Sequence, residues 1–366
     1  MVSRKQDKTN MIGNSTPLSK QLTKSLLSDL RVLIEQARVR VAQQINTELV
    51  MLNWHIGSRI RTEILKQTRA EYGEQVIDTI AQQLTLEYGR GYSRPALFRM
   101  VKFAEVFPDF EIVSTASRQL SWSHLVELIY IKDDLRRQFY AEMCRIEGWS
   151  VHTLRDKIKR LLFERTAIAK KPENVAKQEL KLLQDRGELT PDLVFRDPYL
   201  LDFLELTDAY DEKDLENAIL REMEQFLLEF GTHFSFVSRQ KRIVVDGEDY
   251  YLDLLFYHRK LRRLVAIELK LGPFKAEHKG QMELYLRWLD KYDRCNGEEA
   301  PIGLILCAGK ARTEQIELLA LNEGDIRVAE FVTEELPKAI LSSKFHEAIQ
   351  HARHRLACLS EPKQIE

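Results

Sequence analysis

The sequence predicts a mainly α-helical N-terminal half followed by a C-terminal α/β domain whose mixed sheet is flanked by helices. Three observations carry this expectation. Up to about residue 165 apolar residues recur at helical spacing, then a charged stretch intervenes, and beyond residue 210 short apolar runs alternate with turn signals and amphipathic segments. At 366 residues the chain exceeds one ordinary core, so two domains and a linker are expected. We read 1–19 as a disordered polar tail, 20–168 as a helical domain and 169–200 as a linker. The α/β domain then covers 201–345, and 346–366 forms a C-terminal tail.

In the helical part, Leu22, Leu26, Leu33, Ala37 and Val41 recur at steps of four or seven, along one helical face. Val50–Leu65, Gln75–Leu86, Ser93–Val106, His124–Tyr130 and Asp134–Glu147 continue the pattern, punctuated at Gly73, Gly89-Arg90-Gly91 and Pro108. No strand and no internal repeat is evident there. In the C-terminal part, Asp214–Phe230 is expected as one amphipathic helix ending at Gly231. Phe234–Val245, the turn Asp246-Gly247 and Asp249–Tyr257 predict a β-hairpin, with Leu264–Lys270 as a third strand. Helix Lys279–Asp290, strand Pro301–Cys307, helix Thr313–Leu321 and strand Ile326–Phe331 complete the order.

Composition excludes several classes. With 44% hydrophobic and 30% charged residues the chain is neither disordered nor a membrane protein. The N-terminal MVSRKQDKTNMIGNSTP has no apolar core, so export is not expected and a cytoplasmic location is. The four cysteines (Cys144, Cys295, Cys307, Cys358) lack CxxC spacing, which argues against structural zinc and fits reduced thiols. A net charge of −1 gives no bulk basic signature, so a nucleic-acid partner must rest on local features.

The chemistry is concentrated in Tyr250–His258 and Val265–Lys270. Strand alternation puts Glu268 and Lys270 on one face and Val265, Ile267 and Leu269 on the other. Asp253 lies on the neighbouring strand, joined through the HRKLRR turn, so its carboxylate can meet that of Glu268. Two close carboxylates repel, and a divalent cation reverses that sign; oxygen ligands of this kind suit Mg²⁺ or Mn²⁺. Phosphodiester hydrolysis needs a cation to polarise the phosphate and a second positive group near the developing charge. Asp253 and Glu268 would hold the metal, and Lys270 would orient water or stabilise charge. The bland alternative is an ordinary Glu–Lys pair on a solvated strand end.

Asp253 with Glu268-Leu269-Lys270 resembles the PD-(D/E)XK nuclease motif, with Leu252-Asp253 where that motif has Pro-Asp. Gln281-Met282-Glu283-Leu284-Tyr285 is similar to the QxxxY motif of RecB-type members. The whole stretch from Arg239 to Asp290 resembles the YhcG-type family of bacterial PD-(D/E)XK nucleases. That likeness extends over nearly the whole chain, through Asn53-Trp54-His55-Ile56-Gly57, Tyr72-Gly73, Glu87–Ser93 and Leu120–His124. The resemblance implies a restriction-endonuclease-like fold, a DNA substrate, Mg²⁺ with Mn²⁺ as alternative, and a role in DNA repair, recombination or defence against foreign DNA. It also implies an acidic residue on the helix before the sheet, for which Glu216 is our choice and Glu224 the alternative. Gln281 would join the catalytic set, its amide able to reach metal or phosphate, and Tyr285 one turn on contacts nucleic acid or fills the core.

Further contacts are expected from positive side chains. Arg239, Lys241 and Arg242 on the first hairpin strand line a phosphate groove or simply a solvated face. His258 reads as a surface histidine. Val76–Leu84, the turn at Gly89-Arg90-Gly91 and Ser93–Phe103 read as a helix-turn-helix, with Arg90, Arg94, Arg99 and Lys102 placed for DNA. Its long turn leaves open a helical module that binds a second copy, as in a homodimer, or protein partners of a restriction or defence system. Trp122 and His124 are expected to pack and cap. A DNA-binding or interaction subunit with this fold but no turnover is the rival reading of the whole chain.

Overall fold

The computed structural model of the chain describes residues 17–65, 70–206, 210–309, 313–319, 321, 324–333 and 349–350. The expected tails therefore lie largely outside the described residues, although Pro17 already opens a helix. Two compact units are present, dividing between Val126 and Glu127.

The first unit is helical throughout. Helix α1 (Pro17–Leu65) merges two stretches expected separately, because residues 42–49 contain neither Gly nor Pro to break them. Leu33, Ala37 and Val41, the stripe read from the sequence, stand exposed on it. Helix α2 (Ala70–Tyr88), a 3₁₀ turn at Arg90–Tyr92 and helix α3 (Arg94–Val106) follow, the last starting with Ser93 at the N-cap position and Pro95 in its first turn. Helix α4 (Phe110–Ser117) is capped by the Asp109 carboxylate, and α5 (Trp122–Leu128) spans the division between units. Ile60, Ile77, Ala81, Ala96, Leu97 and Met100 form the core of this unit. Side chains of α1 satisfy the open carbonyl ends of α3 and α4: Trp54 Nε1 donates to Phe107 O (2.8 Å), and Asn46 Nδ2 to Ser117 O (2.9 Å) and Leu120 O (3.0 Å). Trp122 packs edge-on against Phe103 and the Ser121 hydroxyl pairs with His124 Nδ1, as expected of a packing and capping pair.

The second unit begins with helices α6 (Asp134–Glu147), α7 (Val151–Lys159), α8 (Leu162–Arg165), α9 (Ala167–Lys170), α10 (Glu173–Arg186) and α11 (Pro191–Val194). Residues 169–200, expected as a linker with some helix, are packed into this unit. They hold α10 and α11, whose Ala176, Leu180, Leu183, Leu193 and Val194 are buried. Charged residues there made the stretch look solvated, but they pair locally: Lys171 bridges Glu179 and Asp192.

Strand β1 (Tyr199–Leu200) then joins a six-stranded sheet with β2 (Phe234–Val245), β3 (Glu248–His258), β4 (Arg263–Lys270), β5 (Ile302–Cys307) and β6 (Ile326–Val332). The order is β1-β6-β5-β4-β3-β2; β1, β6, β5 and β4 run parallel while β3 and β2 turn antiparallel. Helices α12 (Glu212–Arg221) and α13 (Met223–Phe230) precede β2; α14 (Ala276–Tyr292) links β4 to β5 and α15 (Thr313–Leu318) links β5 to β6. The single helix expected over 214–230 is broken at Glu222. Leu264, Ala266, Met282, Tyr285, Leu286, Leu289 and Ile305 share one core cluster, which places α14 against the face bearing the even-numbered residues of β4. Phe230 of α13 stacks with Phe226, Tyr199 and Phe256.

One buried ion pair ties these parts together. Arg165 is fully buried and pairs with Glu229 of α13. Its Nη1 also donates to Pro198 O (3.1 Å), while Leu200 N of β1 donates to Glu229 Oε1 (3.1 Å). Burial alone would push the Glu229 carboxyl up, but Arg165, Arg196 and Lys157 together hold it down at about 2.

The α1–α3 contact provides a test of the packing in the first unit. A Cβ added to Gly57 would lie 1.9 Å from the Met100 carbonyl oxygen, so backbone meets backbone there. On helix propensity alone Gly57→Ala would stabilise by up to about 1 kcal/mol. The clash should reverse that sign and cost about 1–3 kcal/mol, read as a lower denaturant midpoint. A midpoint at or above wild type would mean that α1 and α3 are farther apart than the structure has them.

Candidate active site

The site forms where β3 and β4 begin to part. Their backbone pairing runs from His258–Arg263 to Leu254–Ile267. Beyond it the carboxylates take over: Leu269 N donates to Asp253 Oδ2 (2.9 Å), and Asp253 N to Glu268 Oε1 (3.4 Å). Leu252 and Leu255 belong to the same core cluster although three residues apart, so strict alternation breaks around Asp253. On β4 alternation holds, and Glu268 and Lys270 share a face as expected, with Lys270 Nζ 3.0 Å from Glu268 Oε2. Helix α12 contributes Glu216, which is 7% exposed. It is linked to Asp253 through Gln240, whose Nε2 donates to Glu216 Oε2 (2.6 Å) and Asp253 Oδ1 (3.1 Å).

The electrostatics are those of too little positive charge. Burial first, then the neighbouring Asp253, push the Glu268 carboxyl up to about 7 against the pull of Lys270. Burial also raises Asp253, opposed by the Leu269 N–H and Lys270. Burial disfavours the Lys270 ammonium, yet Glu268 prevails and raises its pKa, so it stays charged. A divalent cation fits this donor set, which is all carboxylate oxygen with unbalanced negative charge. Among the described residues no three metal-ligating side chains already form a cage. The Gln240 amide and the Lys270 ammonium hold the carboxylates instead.

With this geometry in view, two family descriptions match the chain: "DUF1016 N-terminal domain" over residues 29–165 and "YhcG PDDEXK nuclease domain" over residues 192–346. The Escherichia coli (strain K12) protein named "Putative nuclease YhcG" is 31% identical over 343 residues, spanning 86% of this chain and 87% of that protein. The chain belongs to the YhcG family. A crystal structure of a repair endonuclease from Pyrococcus abyssi aligns with a TM-score of 0.24 at 22% identity, over 36% of this chain and 50% of that one. The YhcG-family chain is thus a nuclease with a PD-(D/E)XK domain, a class that generally uses divalent metals on nucleic acid. The family matches leave 166–191 between them, whereas the compact units divide at Val126.

In this YhcG-family protein the remaining expected residues separate clearly. Glu216 reaches the site, while Glu224 is exposed on α13, because the break at Glu222 ends the helix the two were expected to share. Gln281 Nε2 donates to the Tyr285 hydroxyl (2.7 Å), which donates to Tyr251 O (3.3 Å). Tyr285 is 1% exposed, so it packs in the core and positions Gln281 where a nucleic-acid contact had been one expectation. His258 is not a surface residue. It is 1% exposed, accepts from Leu261 N (3.0 Å), and burial with His233 holds its pKa down at about 3. Arg239 is exposed on β2, but Lys241 pairs with Asp293 and Arg242 with Asp249. In the helical unit Arg90 is exposed, Arg94 pairs with Asp78, Arg99 Nε donates to Pro95 O (3.2 Å), and Lys102 pairs with Glu105. No helix among the described residues is long and apolar enough to cross a membrane. Gln240 was missed because a polar residue on an exposed hairpin strand carries no periodic signal; its one legible sign is its register opposite Asp253.

The raised Glu268 carboxyl sets a pH dependence of known sign. Unfolded, it titrates near 4.5; folded, near 7. The ionised form is the disfavoured one, so its penalty is absent below about 4.5, grows as pH rises to about 7, and is constant above. Glu268→Gln should therefore raise the melting temperature of cation-free protein at about pH 8, with the gain shrinking towards about pH 4.5. A gain independent of pH would assign the effect to packing.

Proposed function

We propose that this chain is a Mg²⁺-dependent deoxyribonuclease, with Mn²⁺ an alternative cation, that hydrolyses phosphodiester bonds through the Asp253–Glu268–Lys270 site. The observation that supports it best is the gathering of Glu216, Asp253 and Glu268 into one hydrogen-bonded group with a single ammonium. Glu216, Asp253 and Glu268 would hold the cation. When bound, it supplies Lewis-acid polarisation of the phosphate and acidifies water. Lys270, anchored 3.0 Å from Glu268, is placed to orient the attacking water or to meet charge developing on the phosphate. Gln281, fixed by Tyr285, offers an amide to the same pocket or to a phosphate oxygen.

Arg90, Arg94, Arg99 and Lys102 would take DNA phosphates, and Arg239, on β2, would take a phosphate in the nuclease domain. The partners of Arg94 and Lys102 lie in exposed ion pairs, which contribute about 0–1 kcal/mol and exchange readily for phosphate. A cytoplasmic setting and roles in repair, recombination or defence follow from this reading, with a second copy or a restriction assembly as partner.

The deciding experiment is a cleavage assay over duplex, branched and single-stranded DNA and RNA, with and without Mg²⁺ or Mn²⁺. Asp253→Asn and Glu268→Gln should each abolish cleavage while circular dichroism stays native; wild-type turnover in either removes the assignment. Lys270→Ala should lower turnover far more than cation affinity. The reverse pattern would make that lysine structural.

Replacing Arg90, Arg94, Arg99 and Lys102 with Ala should weaken DNA binding and flatten its dependence on salt. The slope of log K against log salt falls by about 0.9 for each duplex phosphate no longer neutralised, so up to roughly 3–4 units are at stake. Cleavage at saturating DNA should change little. An unchanged slope, with altered sedimentation on removing the helical half, would assign that half to self-assembly.

A further inference from the structure

Gln240 has a backbone state that its sequence position does not explain. It lies within β2, between Arg239 paired with Leu254 and Lys241 paired with Leu252, and so stands opposite Asp253. Its φ is +42°, in the left-handed region that residues other than glycine rarely adopt. Among the described residues the other non-glycine positions with positive φ, Leu161, Glu205, Asp246 and Arg262, fall at helix ends or turns outside the strands. Strain of this kind persists where surrounding contacts over-determine it. Here those contacts are two carboxylates from different elements: Glu216 of α12 at 2.6 Å and Asp253 of β3 at 3.1 Å, both accepting from the one Nε2.

The chemistry of the amide limits what it is doing. A glutamine NH₂ carries two hydrogens and no net charge. It can satisfy one lone pair on each carboxylate, but it cannot cancel their charge. The charge that is cancelled lies elsewhere, where Lys270 meets Glu268. Gln240 thus separates and steadies two anions that would otherwise face each other across the site. Its nitrogen occupies the place between carboxylates that are, on the reading proposed above, the holders of the cation.

We infer that Gln240 is a positioning residue that acts as a neutral placeholder for the cation. It bridges Glu216 and Asp253 in the cation-free protein and is displaced from them when a divalent ion arrives. Its stabilisation therefore belongs to the cation-free state, and by linkage it lowers cation affinity while keeping the empty site from springing apart. Gln240→Met keeps the side-chain length and removes the donor. Gln240→Glu removes the donor and adds a fourth carboxylate.

The test uses the full chain and two readouts independent of cleavage: calorimetric titration with MgCl₂ and MnCl₂, and melting temperature with and without saturating cation. Gln240→Met should melt lower than wild type without cation and close to it at saturation. Its cation affinity should rise by roughly two- to tenfold, the equivalent of the hydrogen bonding removed from the free state. Gln240→Glu should show a larger drop without cation and a larger rise in affinity, giving the order Glu, Met, wild type. An equal loss of melting temperature with and without cation would show a purely structural role and overturn the inference. So would a fall in affinity for Gln240→Met, since the amide would then be aiding the cation. This inference rests on the metal-site reading, and the two fail differently. If wild type binds neither ion, or binds them unchanged after Asp253→Asn, the site reading falls and the placeholder with it. If wild type binds through Asp253 and Gln240→Met changes nothing, the placeholder alone falls.

Discussion

A buried charge must be compensated, and this constraint organises the second unit. Glu229 and Arg165 satisfy it: the carboxylate has the Arg165 guanidinium against it, Arg196 nearby, and the Leu200 amide as a further donor. Removing one partner from such a pair costs several times what the pair contributes, because the other is left charged in a poor solvent. This single contact joins α8, α13 and β1, and so fixes the far edge of the sheet against the helices that precede it.

The same chain leaves the constraint unmet some strands away. Glu229 is held at about 2 and Glu268 is lifted to about 7, although both are nearly inaccessible. Burial acts upward on both. Three cations outweigh it at Glu229, whereas at Glu268 a second carboxylate adds to it and one ammonium opposes it. The fold neutralises one buried carboxylate almost fully and leaves another short of positive charge, and the second lies among the carboxylates proposed to hold the cation. The breaks in regularity gather at the same spot. The β3–β4 ladder gives way to carboxylates at Asp253, alternation fails between Leu252 and Leu255, and Gln240 takes a left-handed backbone.

The supporting architecture explains why the site is held so closely. Asp253 and Glu268 come from adjacent antiparallel strands, Glu216 from helix α12, which meets β4, and Gln240 from the outer hairpin strand. Tyr285 reaches from α14 to the backbone of β3 and carries Gln281 with it. Asp253, Glu268, Lys270, Glu216 and Gln281 therefore sit on strands and helices that also carry buried core residues, which restricts their movement more than a loop would.

By itself the sequence determined the five longer strands, the order of the sheet-forming segments and the pairing of Asp253 with Glu268 and Lys270. These are local properties: alternation, apolar runs and turn residues act over a few positions, and a tight hairpin brings its two strands together. Tertiary structure alone decided the rest. It showed residues 169–200, expected as a linker, to hold packed helices, because whether the few apolar residues of a short charged helix are covered depends on what lies against them. It set Glu216 beside Gln240 and left Glu224 exposed, because the break at Glu222 leaves no mark in helical spacing. It buried His258 and Tyr285, and it brought Gln240 to the carboxylates through register across the hairpin. Contact between a helix and a distant strand has no period, so spacing along the chain carries no sign of it.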